Sequence, residues 1–400
     1  MPVLDLPFYS DTAAHASDVR DALGGLRIRA VSRTEEAASA WDRLRGCAAV
    51  PFSDPVWARA WYAAHRDAPN VSPLIVVGEA ANGEPLFLLP LMQERRGPFT
   101  VLVWPGGTHS TYHCGLFSPA CRALVTAETA QAFWARVFAA LPPADALALY
   151  GLPAFEVAQR NPLAHLPLFQ CGCTSYRMAL TPDWEALYAS KAHAKMRRND
   201  RRCERHLAKL GTLAFRVART REERRHMLDC LIAQKSARLE QLGLPNFFDK
   251  PHVRSFYEHL IDHGDRDGPN AVMLCALALD EEIIAVNLGM RQGTSYHGMV
   301  VSMTDGAAER YGPGRLLLRH FVEHLSREGF ETLDFGVGDE PYKDIWSDEA
   351  VARCDVLVPL RARGWVFVSA LKLFLKTKAK VKQSALLWPL FSRYRRFLGC

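Results

Sequence analysis

Glu309-Arg310-Tyr311-Gly312-Pro313-Gly314 stands where the surrounding pattern predicts a strand before it and a helix, Arg315 to Arg327, after it. Two glycines at a helix N-terminus let a ligand approach the backbone. The unpaired N–H groups and the helix dipole there favour a pyrophosphate. An ordinary tight turn is the alternative reading of the same residues. On the preceding strand, His297 has an unperturbed pKa of about 6.5, which suits a general base. Strand alternation puts it on one face with Ser295, Met299 and Val301, where a histidine hydrogen-bonded to its neighbours is the alternative. Asp305 and Glu340 are the competing bases, although acids near a turn also serve as caps or face solvent.

A second group is cationic. Lys191, Lys195, Arg198, Arg202, Arg205 and Lys209 recur at steps of three or four, so on a helix they form one stripe. Such a stripe is either a solvated face or a set of phosphate ligands, with Lys195 and Arg198 the pair expected to reach a substrate. His109, Ser110 and His113 share a glycine-rich loop but lack the Gly-x-Ser-x-Gly elbow of a serine hydrolase. That loop is expected instead to line an acceptor side of a cleft. Ten cysteines include no Cys-x-x-Cys pair, so they read as buried thiols and no metal is expected.

These residues need a scaffold. Strand 27–31, helices 34–46 and 54–66, strands 73–79 and 84–93, helix 126–140 and strand 146–150 make one α/β unit ending near residue 165. A second unit begins with strand 174–180, a short helix around 184–188 and a long basic helix over 191–210. Helices at 220–242 and 251–262 follow. Strands at 271–279, 282–291 and 295–302, separated by Asp280-Glu281 and Gly293, predict an antiparallel meander. Helix 315–328 and strand 332–336 close the pattern.

The order of meander, glycine loop, helix and strand resembles the acyl-CoA-binding core of the GNAT acetyltransferases. Their phosphate loop begins with Gln or Arg; Glu309 departs from that, and Arg310 stands one position later. Asp334-Phe335-Gly336, then Gly338-Asp339-Glu340-Pro341-Tyr342-Lys343 and Trp346, resemble the C-terminal signature of the CelD/BcsL-like acetyltransferases and the related FemX-type transferases. Trp41, Leu44, Pro51-Phe52-Ser53-Asp54-Pro55-Val56-Trp57 and Trp61 are similar to the opening motif of the same family. The resemblance implies two tandem GNAT-like domains, each a mixed, largely antiparallel sheet flanked by helices, with the active site in the cleft between them. It divides the chain into a degenerate domain (1–165), an acyl-CoA-binding domain (166–360) and a basic amphipathic tail (361–400). It further implies that Arg310, Gly312, Gly314 and Arg315 hold acyl-CoA. Tyr342 protonates the leaving thiolate, Lys343 supports the oxyanion or an anionic acceptor, and His297 or Glu340 acts as base. Lys195, Arg198 and Asp339 meet the substrate.

Composition sets the context. At 400 residues and 49% hydrophobic, the chain suits two domains with cores of their own. The N-terminal stretch has no secretory pattern and no apolar run is long enough to span a bilayer, which points to a cytoplasmic protein. The net charge is +6, yet residues 361–400 carry ten Lys or Arg and no acid, so the rest of the chain is mildly acidic. Tryptophans and leucines between those cations suit an anionic membrane surface through 365–398, on the inner face of the cytoplasmic membrane. A helix docked on the body with a basic outer face is the alternative. The expected activity is transfer of an acyl group from acyl-CoA to an amine or hydroxyl of an envelope precursor: a sugar, a glycolipid or a lipid amine. The rivals are FemX-type transfer from aminoacyl-tRNA and a non-catalytic scaffold of a polysaccharide synthase.

Overall fold

In the computed structural model, which describes residues 23–264, 270–338 and 340–383, the strands join in one continuous sheet. The strands are β1 (Arg27–Val31), β2 (Val71–Glu79), β3 (Pro85–Arg96), β4 (Phe99–Val103), β5 (Leu116–Phe117), β6 (Ala146–Pro153), β7 (Leu168–Ala179), β8 (Leu213–Val217), β9 (Val272–Leu279), β10 (Glu282–Gln292), β11 (Ser295–Met303), β12 (Thr332–Val337) and β13 (Glu349–Pro359). The α-helices are α1 (Ala38–Leu44), α2 (Pro55–Ala64), α3 (Pro119–Leu124), α4 (Ala130–Ala139), α5 (Ala154–Ala158), α6 (Trp184–Lys191), α7 (Ala194–Leu207), α8 (Arg221–Gln241), α9 (Pro251–His263), α10 (Pro313–Arg327), α11 (Pro341–Trp346) and α12 (Ala362–Gln383). The mixed, mostly antiparallel sheet flanked by helices is the architecture expected from the sequence.

The sheet order is β1-β2-β3-β4-β6-β13-β7-β12-β11-β10-β9-β8, with β5 pairing β3 off this path. Each half repeats one plan. Four antiparallel strands (β1 to β4; β8 to β11) lead through helices to a fifth strand (β6; β12) that runs parallel to the fourth. The halves then exchange their next strand. β7, which follows β6 in sequence, pairs with β12, whereas β13, which follows β12, pairs with β6; β7 and β13 meet in the middle.

The opening motif holds the halves together. Asp54 caps α2 by accepting from the Val56 N–H (2.9 Å), and it also accepts from Arg45 (2.7 Å) and from Asn270 ahead of β9 (2.9 Å). Its position before a first-turn proline made that cap legible in advance. Trp57 and Trp61 of α2 pack edge-on against Phe256 of α9, both pairs at 4.9 Å. Phe52 fills the angle beside Trp57. These large rings bury enough apolar surface to fix the N-terminal half against the C-terminal one.

Two expectations change. The basic helix does not run unbroken from 191: α6 ends at Lys191, Ala192 is extended, and His193 starts α7 by accepting from the Met196 N–H (3.2 Å). Strands β4, β8 and β13 belong to the sheet although no strand was expected there. Of the two readings of the segment after 361, the helix docked on the body describes residues 362–383: α12 lies on the sheet through Gly364, Val368, Leu371 and Leu375. Residues 384–398, part of the stretch read as membrane-suited, lie outside the described residues, as does Asp339.

Candidate active site

The site forms where two strands part. β11 and the parallel β12 are paired only over Ser295–His297 and Thr332–Asp334. Beyond His297, β11 keeps β10 on one side and, among the described residues, has no strand on the other. A register shift helps: Gly289 opposes Gly298 while Leu288 opposes Val300, which leaves Met299 as the extra residue of a bulge. Gly289 is needed there, because a Cβ would come within 2.3 Å of the His297 carbonyl oxygen. A cavity of about 640 Å³ fills the gap, a size that accepts a small-molecule ligand.

One end of this cavity is the glycine loop. Gly312 has φ 65°, ψ 57°, a left-handed conformation that glycine adopts without strain, and Pro313 begins α10. The Arg315 and Leu316 N–H groups both turn back to the Gly312 carbonyl (3.1 Å each), whereas the Gly314 N–H has no partner among the described residues. Gly314 and Arg315 line the cavity. Arg315 is already engaged by the buried Asp200 of α7, which also accepts from the Tyr188 hydroxyl. Arg310 stands exposed, its guanidinium 4.8 Å over the Tyr311 ring, and does not line the cavity.

The middle holds the titratable groups. Asp334 on β12 is buried, and its carboxylate accepts from the Tyr112 hydroxyl (2.8 Å) and the Gly336 N–H (2.8 Å). Burial, only partly offset by these bonds and by Arg177 at 3.7 Å, pushes its pKa up to about 6. Tyr342 packs edge-on to Phe335 (5.9 Å), and burial with the nearby Glu340 raises its phenol, which is therefore neutral at physiological pH. Glu340 lines the same wall with about half its side chain exposed. The Lys343 ammonium is buried, donates to the carbonyls of Gly336 (3.2 Å) and Val337 (2.9 Å), and forms an ion pair with the Glu340 carboxylate (2.9 Å). These partners hold the ammonium against the 336–340 turn, so it positions that wall.

The far end comes from both halves. Thr108 and His109 of the glycine-rich loop meet Phe247 and Tyr257, and His109 Nδ1 lies 2.9 Å from the Tyr257 hydroxyl. Burial, reinforced by His252, Lys250 and His65, lowers the His109 pKa to about 4, so this wall is uncharged near neutrality. Helix α8 contributes Gln234, Lys235 and Arg238; Lys235 donates to the Val301 carbonyl (3.3 Å), and burial lowers its pKa.

Several sequence assignments are corrected by this geometry. His297 is buried with its ring edge-on to Phe52 (6.2 Å), is absent from the cavity wall, and has its pKa lowered to about 3 by burial and Arg177. So weak a base, facing away from the cavity, does not serve as proton acceptor. Asp305 is exposed, accepts from Gln241 (2.8 Å) and does not line the cavity. Lys195 and Arg198 point outward because Asp200, Cys203 and Leu207 form the buried face of α7. Arg198 lines a separate open depression with Arg201, Arg202 and Arg205. Asp334, Lys235, Arg238 and Tyr257 were not singled out for chemistry. Asp334 alone carried a signal, as part of the Asp-Phe-Gly run; the others reach the site through pairings that no spacing announces.

Residues 194–344 match the family model described as acetyltransferase (GNAT) domain. No curated protein matches the sequence. Among solved structures, the chain is similar to FemX at 12% identity and a TM-score of 0.56, over 86% of this chain and all of that one. It also resembles L-PGS from Bacillus licheniformis (11% identity, TM-score 0.47, 81% of this chain and 97% of that one). A tandem GNAT protein from the clavulanic acid biosynthesis pathway is similar at 12% identity and a TM-score of 0.43, over 84% and 99% of the two chains. The GNAT-type fold seen in the sheet and the match of residues 194–344 to the GNAT acetyltransferase domain model agree with each other.

Proposed function

We propose that the chain moves an acyl group from a coenzyme A thioester to an amine or hydroxyl acceptor by direct attack. The observation that carries this reading is a single cavity with the unpaired Gly314 N–H at a helix N-terminus at one end and Asp334 and Tyr342 on its wall. The helix terminus takes the pyrophosphate, and the free edge of β11 offers backbone groups to the amide-bearing arm. The acceptor enters past His109, Phe247 and Tyr257. As its lone pair attacks the thioester carbonyl, its proton passes to the Asp334 carboxylate, which is ionised above pH 6. When the C–S bond breaks, the Tyr342 hydroxyl gives its proton to the departing sulfur. Lys343 holds the turn that presents Tyr342. No covalent enzyme intermediate is involved.

The acceptor belongs to the envelope-precursor class: a polysaccharide sugar, a glycolipid, or a lipid amine such as a sphingoid base. The uncharged aromatic wall supports an acceptor with an apolar portion, and Lys235 with Arg238 supports one that also carries negative charge. Calorimetric titration of the full chain with acetyl-CoA and palmitoyl-CoA tests the donor. Saturable binding of one of them is expected, and a folded protein that binds neither would overturn the reading. Tyr342→Phe is expected to lower kcat about a hundredfold with little change in acyl-CoA affinity; an unchanged kcat would remove Tyr342 from the proton path.

A second reading has its own observation. The outward arginines Arg198, Arg201, Arg202 and Arg205 lie on α7, whose His206 stacks on Tyr311 of the glycine loop (5.5 Å). A cationic face beside the donor site also suits an aminoacyl-tRNA donor. Copurifying tRNA, with affinity falling steeply in salt, would favour it.

A further inference from the structure

Helix α12 has two apolar faces, and only one is covered. Gly364, Val368, Leu371 and Leu375, at steps of four, three and four, lie on the sheet. Half a turn away, Val366, Ala370 and Leu373 form a second stripe, with Phe374 beside it; Val366, Leu373 and Phe374 expose 65%, 68% and 61% of their surface. Trp365 is a further 43% exposed. Large apolar residues left in water this consistently mark a contact surface. Lysines run along its flanks: Lys372, Lys376 and Lys380 on one side and Lys378 on the other. No acid follows residue 355.

We infer that this outer face of α12 docks the protein on an anionic lipid bilayer, lying in the interface without crossing it. The stripe supplies apolar side chains to the acyl region while the flanking lysines reach the headgroups. Among the described residues no helix is long and apolar enough to span a membrane. Charge selects the occupant. A second copy of this face would set lysines against lysines. An anionic lipid surface complements every cation here. The inference is independent of acyl transfer, since no residue on this face lines the cavity.

The test is cosedimentation of the full chain with phosphatidylcholine vesicles, with and without about a third phosphatidylglycerol. Binding to the anionic vesicles is expected, weakened by salt. Leu373→Glu with Phe374→Glu should reduce it at least about tenfold while the melting temperature stays at the wild-type value, because both side chains are exposed. Lys376→Gln and Lys380→Gln should each lower binding about fivefold on anionic vesicles only. Failure to cosediment, equal binding to neutral vesicles, or undiminished binding by the double variant would overturn the inference. So would a dimer that the same double variant dissolves in a protein that ignores vesicles, which would assign the face to a second copy.

Discussion

Asp334→Asn is expected to lower kcat/KM by at least about a hundredfold, the usual contribution of a positioned proton acceptor. The pH dependence makes the test specific. Because the Asp334 pKa is pushed up to about 6, the wild-type kcat/KM should rise with pH through 6 and level off above it, and this limb should vanish in the variant. Stability should move the other way. A carboxyl raised above its unfolded value of 3.8 contributes stability that is fully present below that value and lost as pH rises through about 6. At pH 8 the ionised group costs the fold on the order of 2–3 kcal/mol. The neutral amide escapes that cost, so the variant should melt above the wild type at pH 8, with the difference closing toward pH 4. An equally active variant, or one less stable at pH 8 than at pH 4 relative to the wild type, would remove Asp334 from the proposed role. A buried acid kept at a cost to stability is a frequent mark of a functional group.

Gly314→Glu should weaken acyl-CoA binding by about a hundredfold or more while leaving the protein folded. A Cβ at this position would meet Met303 Sδ at 3.1 Å, a contact that the flexible thioether can relieve, so the backbone of α10 can stay in place. The added carboxylate would occupy the helix terminus and repel the pyrophosphate, reversing the local charge preference. Gly314→Ala, which fills space without charge, should lose less. The decisive comparison is Kd by calorimetry beside the melting temperature of each variant. Unchanged affinity in a folded Gly314→Glu protein would move the donor phosphates elsewhere, with the arginine face of α7 as the next place to look.

Much of this arrangement could be read from the chain. The meander β9 to β11 was legible because its strands alternate and its turns carry fitting residues: Asp280 has φ 53° and Gly293 φ 57°. The Asp54 cap and the Gly312-Pro313-Gly314 helix start were legible for the same local reasons. β13 was not: its first half, Glu349-Ala-Val-Ala-Arg, mixes charge into a strand flanked on both sides, and only Val356-Leu-Val reads as core. Its place between β6 and β7 depends on pairings with segments some 200 residues earlier, which no local pattern encodes. His297 misled for a related reason. Its type and strand suited a base, but which face met the cavity depended on Phe52, far away in sequence, and burial then removed its basicity. Asp334 was visible as a motif residue, yet its raised pKa comes from its burial, which the Tyr112 and Gly336 hydrogen bonds offset only in part, and no local pattern encodes that packing.

The exchange of β7 and β13 sets an order for synthesis. The N-terminal half emerges from the ribosome with β6 exposed along one edge, and the strand that covers it, Glu349–Pro359, is made some two hundred residues later. Until then that edge is an open template for pairing with another nascent chain, a hazard for long β-rich intermediates. A chain cut after residue 165 or begun at residue 166 would lack a neighbour in its sheet in either case. The two pieces made separately and mixed would complete each other, and a truncation just before β13 would injure the half of the molecule made first.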